Sequence, residues 1–266
     1  MLWSVLGAVL GMALVMAAGW AFQRAKADGG WTDVFWSFGM GGAGALAALA
    51  PTGSAFAPRQ ALVAALVAGW SLRLGLHIRA RVLRGPEDAR YAQLRRDWAP
   101  HFQGRMFSFL QQQALGGGVL LIAVVLAAHE PAQELRLADL AGTLVLAASV
   151  LGEGLADRQL ARFTRDPANH GKVCDWGLWA WSRHPNYFFE WLGWLAYPVI
   201  AIDPSGVYPW GWAALVAPAA IYGLLRHVSG VPPLEAHMLA TRGEAFRAYQ
   251  ARTSAFFPFP PARSPS

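Results

Sequence analysis

The feature that most constrains this chain is a succession of uninterrupted apolar runs. Each is about 20 residues long, the length of an α-helix that crosses a ~30 Å hydrocarbon core. Residues 2–22, 31–49, 59–77, 106–128, 137–156, 185–202 and 209–226 read as seven such spans. The runs are continuous rather than alternating, which argues against a β-barrel. With 55% hydrophobic and 14% charged residues and a mean hydropathy of +0.30, the chain is too apolar for a soluble domain of 266 residues. The expected fold is all-α, a polytopic transmembrane helix bundle of about seven spans in a single domain over 1–266.

Basic residues fall in alternate connections. Arg24 and Lys26 lie in the first. Arg79, Arg81, Arg84, Arg90, Arg95, Arg96 and Arg105 lie in the third, and Arg158, Arg162, Arg165, Lys172 and Arg183 in the fifth. The tail holds Arg226, Arg242, Arg247, Arg252 and Arg263. The intervening connections offer Arg59 and Arg136 with Glu130, Glu134 and Asp203. A positive-inside count therefore puts the N-terminus outside and the C-terminus in the cytoplasm. Topology and anionic headgroups account for most of the net charge of +6, and no nucleic-acid motif accompanies it. The first run has no Lys or Arg before Arg24 and reads as a retained helix rather than a cleaved leader. The lone Cys174 excludes an internal disulfide and a cysteine metal cluster. There is no His-x-x-x-His pair, no Gly-x-Ser-x-Gly elbow and no Gly-x-Gly-x-x-Gly after a strand. Metal chemistry, that type of hydrolase and a Rossmann site are accordingly not indicated.

The densest polar chemistry lies at Gly177–Trp191, where a basic loop meets an apolar run. Arg183, His184, Asn186, Tyr187 and Glu190 supply a cation, an imidazole, an amide, a phenol and a carboxylate within eight residues. Pro185 disfavours helix at His184 and suits the first turn of a helix that begins there. That helix would carry Asn186 and Glu190 four apart on one face, with Tyr187 beside them. Its free N–H groups make it a candidate phosphate or carboxylate cradle. The alternative is an interfacial anchor, since Trp, Tyr, Arg and His are common at headgroup depth.

Ionisable residues inside spans need a partner or a job. Arg73 either snorkels to the interface or faces a substrate or Asp33. Asp33 also suits a helix N-terminus. Glu153 and Asp157 share one helical face. Gln111, Gln112 and Gln113 read as interfacial, and Gly116–Gly118 permits close helix approach.

The sequence Gly177-Leu178-Trp179, Ser182-Arg183-His184-Pro185-Asn186-Tyr187-Phe188 and Glu190 resembles the signature of the steroid 5-alpha-reductase-like membrane family. It is most similar to the bacterial branch known as domain of unknown function 1295. The likeness extends through Asp157-Arg158-Gln159, Asp166-Pro167, Gly171-Lys172-Val173, Ser229-Gly230-Val231-Pro232, Leu234-Glu235 and Tyr249–Pro258, and includes Glu87–Tyr91. The resemblance, strongest over 153–258, implies a seven-helix bundle in a bacterial inner membrane with a cytosol-facing NADPH site in that half, acting on a carbon–carbon double bond of a membrane lipid. By position it implies cofactor roles for Asp157, Asn186, Glu190 and Tyr249. Arg165, Lys172, Arg183 and His184 are added because a pyrophosphate and a 2′-phosphate need cations or donors, and Glu235 stands where the steroid enzymes carry a basic residue. The tyrosine that polarises a steroid ketone in those enzymes has no counterpart at His77-Ile78. A proton donor would have to be Tyr91, Arg73 or Tyr187. Two other readings stay open. One is an S-adenosylmethionine-dependent membrane methyltransferase, which shares an Arg-His-Pro-x-Tyr core but adds a tail Glu-Glu pair where this chain has Glu235-Ala236. The other is a non-enzymatic lipid-binding protein.

Overall fold

In a computed structural model of the protein, described over residues 1–51 and 55–262, the chain is all-helical. Arg263 of the basic tail lies outside the described residues. The order is α1 (Leu2–Lys26), α2 (Trp31–Ala48), α3 (Ala57–Arg84), α4 (Ala89–Asp97), α5 (Phe102–Ala128), α6 (Leu137–Arg165), α7 (Pro185–Trp194), α8 (Ala196–Ala201), α9 (Val216–Gly223), α10 (Val231–Arg242) and α11 (Glu244–Arg252). Short 3₁₀ turns cover Pro167–Asn169, Gly177–Ala180 and Pro209–Leu215, and a π-turn covers Leu224–Val228. Among the described residues the β-type pairing is one isolated bridge, Ser182 with Ser254.

Five helical segments are long and apolar enough to cross a membrane: Leu2–Lys26, Ala57–Arg84, Phe102–Ala128, Leu137–Arg165 and Pro209–Arg242. Several helices outrun the apolar stretches expected from sequence. α3 continues to Arg84 rather than stopping near 77, and α6 to Arg165 rather than near 156. Arg, Ala, Leu and Gln are good helix formers, so the helix persists where the hydrophobicity ends. The run at 185–202 is divided between α7 and α8. Leu10, Leu14, Leu46, Leu72, Leu115, Leu144 and Leu151 point outward, as lipid-facing positions do.

The chain divides into two compact units, 1–142 with 197–217 and 143–196 with 218–266. The first is built on α1, α2, α3 and α5. Met12, Met16, Met40, Met106, Leu110, Leu120 and Leu121 are buried there. Small residues set how closely these helices approach. A Cβ on Gly118 would lie 2.4 Å from Val9 Cγ2, and one on Gly41 would lie 2.2 Å from Ser71 Oγ. The glycine run of α5 thus brings α1 against α5, as its sequence suggests.

At one end of this unit the sequence reading missed an ion network. Arg59 has no exposed surface and faces Asp139 and Glu130, each at 2.9 Å, while Arg136 reaches Glu130 at 3.3 Å. Arg59 also donates to the backbone carbonyls of Glu130, Ala132 and Glu134. Glu130, one of the acids expected in a solvated loop, is instead about 1% exposed, as is Asp139 of α6, and the two neutralise this guanidinium. In the second unit α6 and α7 pack closely at Gly193, whose Cβ would sit 2.6 Å from Ser149 Oγ, and Ser149 donates to the Phe189 carbonyl at 2.6 Å.

Arg59→Ala would remove the fully buried cation that faces Asp139 and Glu130, leaving Glu130 to Arg136 at 3.3 Å. We expect it to lower stability by about 3–5 kcal/mol, the cost of breaking a buried pair from one side. Exposed Arg79→Ala should change it by less than about 0.5 kcal/mol. Thermal unfolding of the two variants in one detergent checks this, and equal melting temperatures would refute it.

Candidate functional site

The signature stretch lies in the second unit, and three local devices shape it. Gly177 has φ +62°, so the loop turns where a side chain would be strained, and a Cβ there would also meet Gln159 at 2.6 Å. Gln159 of α6 accepts from the Leu178 N–H at 2.9 Å, and the Trp179 indole donates to the Ala156 carbonyl at 3.0 Å. The α7 helix starts at Pro185 with His184 as its N-cap, as the sequence predicts.

The tail then closes over this loop. The Arg183 N–H donates to the Ser254 carbonyl at 2.8 Å, and Ser182 Oγ donates to the Phe256 carbonyl at 2.8 Å. Tyr249 donates to the Trp179 carbonyl at 2.5 Å. Burial pushes its phenol well up from the ordinary value, so it serves as a neutral donor. Phe256 and Phe257 pack against Phe188, Trp191 and Tyr222 at centroid distances of 5.2–6.4 Å.

Glu235 of α10 is the hub. One oxygen takes Arg183 Nε at 2.7 Å and His184 Nε2 at 2.9 Å. The other takes Arg183 Nη2 at 3.2 Å and the Gln250 amide at 2.7 Å. Arg183 Nη1 donates to the Gln250 and Thr253 carbonyls. The carboxylate fixes the imidazole tautomer, since it accepts and Nε2 must donate. Nδ1 of His184 is then an acceptor, and it is buried with no hydrogen-bond partner. The ring is 3% exposed and stacks on Tyr187 at 5.5 Å with 10° between planes. Burial lowers the His184 pKa from its ordinary value, a shift that Glu235 opposes. Two residues on, Asn186 Oδ1 is also buried and unpartnered. Two unsatisfied acceptors at one helix start suit a ligand group that carries N–H or O–H donors.

The remaining expected residues are less gathered. Glu190 turns along its own helix and accepts from the Trp194 indole at 2.9 Å. Asp157 is partly buried on α6, one turn after buried Glu153. Arg165 and Lys172 are exposed and make no ion pair among the described residues. Cys174 is buried and its thiol is pushed up to about 11 by that burial, so it is not a reactive thiolate.

Two candidate proton donors belong to the first unit. Arg73 lies part-buried in α3. Tyr91 is fully buried and donates to Asp33 Oδ1 at 2.6 Å, while Thr32 Oγ1 lies 3.0 Å from its oxygen. Burial first, and then the facing Asp33, raise its pKa well above the usual phenol value. Arg90 takes the other Asp33 oxygen at 2.7 Å and lies 4.5 Å from the Tyr91 ring centroid. Asp33, expected as a helix-dipole acid or a partner for Arg73, thus receives both polar groups from α4. The network ties α4 to the start of α2. Sequence reasoning missed this pairing and the Gln250 contact. Their one signal is that Arg90 and Gln250 directly adjoin the candidate residues Tyr91 and Tyr249.

The profile of the family described as "Protein of unknown function (DUF1295)" matches residues 19–253. No curated protein matches the chain, and no solved structure does.

Because burial lowers the His184 pKa in the fold, the unfolded chain binds this proton more readily. Its contribution to stability is present above the ordinary imidazole value of about 6.5 and is lost as pH falls from there through the lowered native value. We expect wild type to lose more thermal stability than His184→Asn when pH is taken from about 8 to about 5. Parallel pH curves for the two proteins would contradict this assignment.

Proposed function

The chain belongs to the family described as domain of unknown function 1295, and on that premise we propose that it is a membrane-embedded NADPH-dependent reductase. Its substrate would be a carbon–carbon double bond in a sterol-, isoprenoid- or enone-type lipid. The observation that carries this reading is the pair of buried, unpartnered acceptors at the start of α7, His184 Nδ1 and Asn186 Oδ1. They lie within a stretch that resembles the steroid 5-alpha-reductase-like enzymes.

The residues present suit a dinucleotide in kind. Asn186 and His184 would accept from its amide, amine or hydroxyl groups. Exposed Arg165 and Lys172 would meet its phosphates, with Asp157 and Glu190 completing the polar wall. The roles of Arg183, Glu235 and Tyr249 shift in this reading. Their donors and acceptors are occupied by one another and by the tail, so they position the loop and orient His184. Bound NADPH would supply a hydride to the electron-poor alkene carbon. The chain would supply the proton and a donor to the developing enolate oxygen. Tyr187, stacked on His184, is the donor we favour. The Tyr91 hydroxyl already donates its hydrogen bond to Asp33. Seven spans with the N-terminus outside would turn the basic connections, and this site, to the cytoplasm of a bacterial inner membrane.

Equilibrium binding of NADPH, NADH and S-adenosylmethionine to the detergent-purified protein tests the reading. NADPH should bind, and Asn186→Ala should weaken it about tenfold, the loss of one buried hydrogen bond. Lys172→Ala should weaken NADPH more than NADH. Binding of S-adenosylmethionine alone would replace the reductase with a methyltransferase. Binding of none of the three by a folded protein would leave a lipid-binding role.

A further inference from the structure

A second site lies in the first unit and is independent of the cofactor reading. Its residues are Trp98, Gly104, Arg105, Ser108, Phe109 and Gln112, which line a cleft of about 330 Å³ along the start of α5. Positions 104/105, 108/109 and 112 recur at helical spacing, so they form one stripe. The stripe through Gln103 and Phe107 is a different one. Gln103 there accepts from Trp20 and Gln23 of α1, and Phe107 packs on Trp20. On the cleft stripe Arg105, Ser108 and Gln112 remain exposed.

Three observations point to one kind of occupant. First, Arg105 makes no ion pair or side-chain hydrogen bond among the described residues, and the lining contains no carboxylate. Its charge is therefore free for an anion. Second, Gly104 keeps the cleft open, because a Cβ there would meet nothing within 4 Å. Trp98 walls it, packed edge-on against Phe109 at 5.7 Å. Third, the depth is that of a lipid headgroup. Counting about 20 residues back from His129, at the far end of α5, puts the hydrocarbon boundary near Phe109. Arg105 then stands at phosphate level. Gln112 lies about 10 Å further along the helix axis, at 1.5 Å per residue, just inside the boundary. An exposed amide facing hydrocarbon is costly unless a ligand satisfies it. A soluble phosphate would satisfy Arg105 and leave Gln112 bare. A glycerophospholipid presents its phosphodiester at the first level and its ester carbonyls, which are acceptors, at the second.

We propose that the Trp98–Arg105–Gln112 cleft binds an anionic glycerophospholipid, with Arg105 on the phosphodiester and Gln112 on an ester carbonyl. Ser108 donates to the Gly104 carbonyl at a long 3.2 Å and is free to turn to the headgroup.

Native mass spectrometry of the full chain, titrated with phosphatidylglycerol or phosphatidylcholine, tests the assignment. Both lipids offer the phosphodiester and ester carbonyls, but phosphatidylcholine brings its own quaternary ammonium beside Arg105, so wild type should retain one phosphatidylglycerol with about tenfold preference, the scale of one weakened charge-assisted contact. Arg105→Gln should abolish the preference. Gly104→Leu should weaken retention of both lipids by filling the cleft without changing any charge. Both positions are exposed, so melting temperatures should match wild type. Equal retention of the two lipids by wild type, or unchanged preference in Arg105→Gln, would overturn the site. Displacement of phosphatidylglycerol by excess inorganic phosphate would reassign it to a soluble anion.

Discussion

Hydrocarbon offers no hydrogen-bond partner, and that constraint shapes everything else in this protein. Each backbone N–H and C=O within the apolar runs must be satisfied inside its own segment, so the runs are helices. Side-chain polarity then collects at the helix ends, where it can be paired or wetted. Arg59 shows the requirement at its most demanding. A guanidinium without solvent contact is matched by two carboxylates and three carbonyls. Tyr91, Asp33 and Arg90 solve the same problem elsewhere in that unit, and their network docks the amphipathic α4.

Against this background of dense pairing, two leftover acceptors that fall together at one helix start carry information. Buried donors and acceptors in native proteins nearly always find partners. His184 Nδ1 and Asn186 Oδ1 do not, although the atoms around them are densely bonded. The carboxylate of Glu235 holds the imidazole in one tautomer, and Arg183 balances that carboxylate. The cation first read as a phosphate ligand is thus part of the support for a hydrogen-bond acceptor. This division between supporting and contacting residues could not be inferred from spacing. Arg183 and Glu235 are 52 positions apart, and which of several arginines faces the glutamate is decided by packing.

Much of the architecture was nonetheless legible. Apolar runs of bilayer length announce helices whatever the loops do, and Pro185 marked the start of α7 to the residue. The Gly116–Gly118 run of α5 announced close packing, and two of its three glycines deliver it. Helix ends were less legible, because α3 and α6 continue on propensity after hydrophobicity stops. Glu130 and Asp139 were opaque for another reason. A loop acid and a buried counter-ion look alike in sequence, and only the fold reveals which acid an arginine reaches.

The 52-residue separation between Arg183 and Glu235 also has a temporal meaning. Ribosomes add roughly 5–20 residues per second, so Arg183 waits on the order of 3–10 s for its carboxylate to be made. During that interval α6 and α7 can already be inserted, while the loop between them lacks the partner that orders it. The polar cluster therefore assembles late in the synthesis of this unit, and a chain interrupted before α10 would carry α6 and α7 without the carboxylate that holds the imidazole in place.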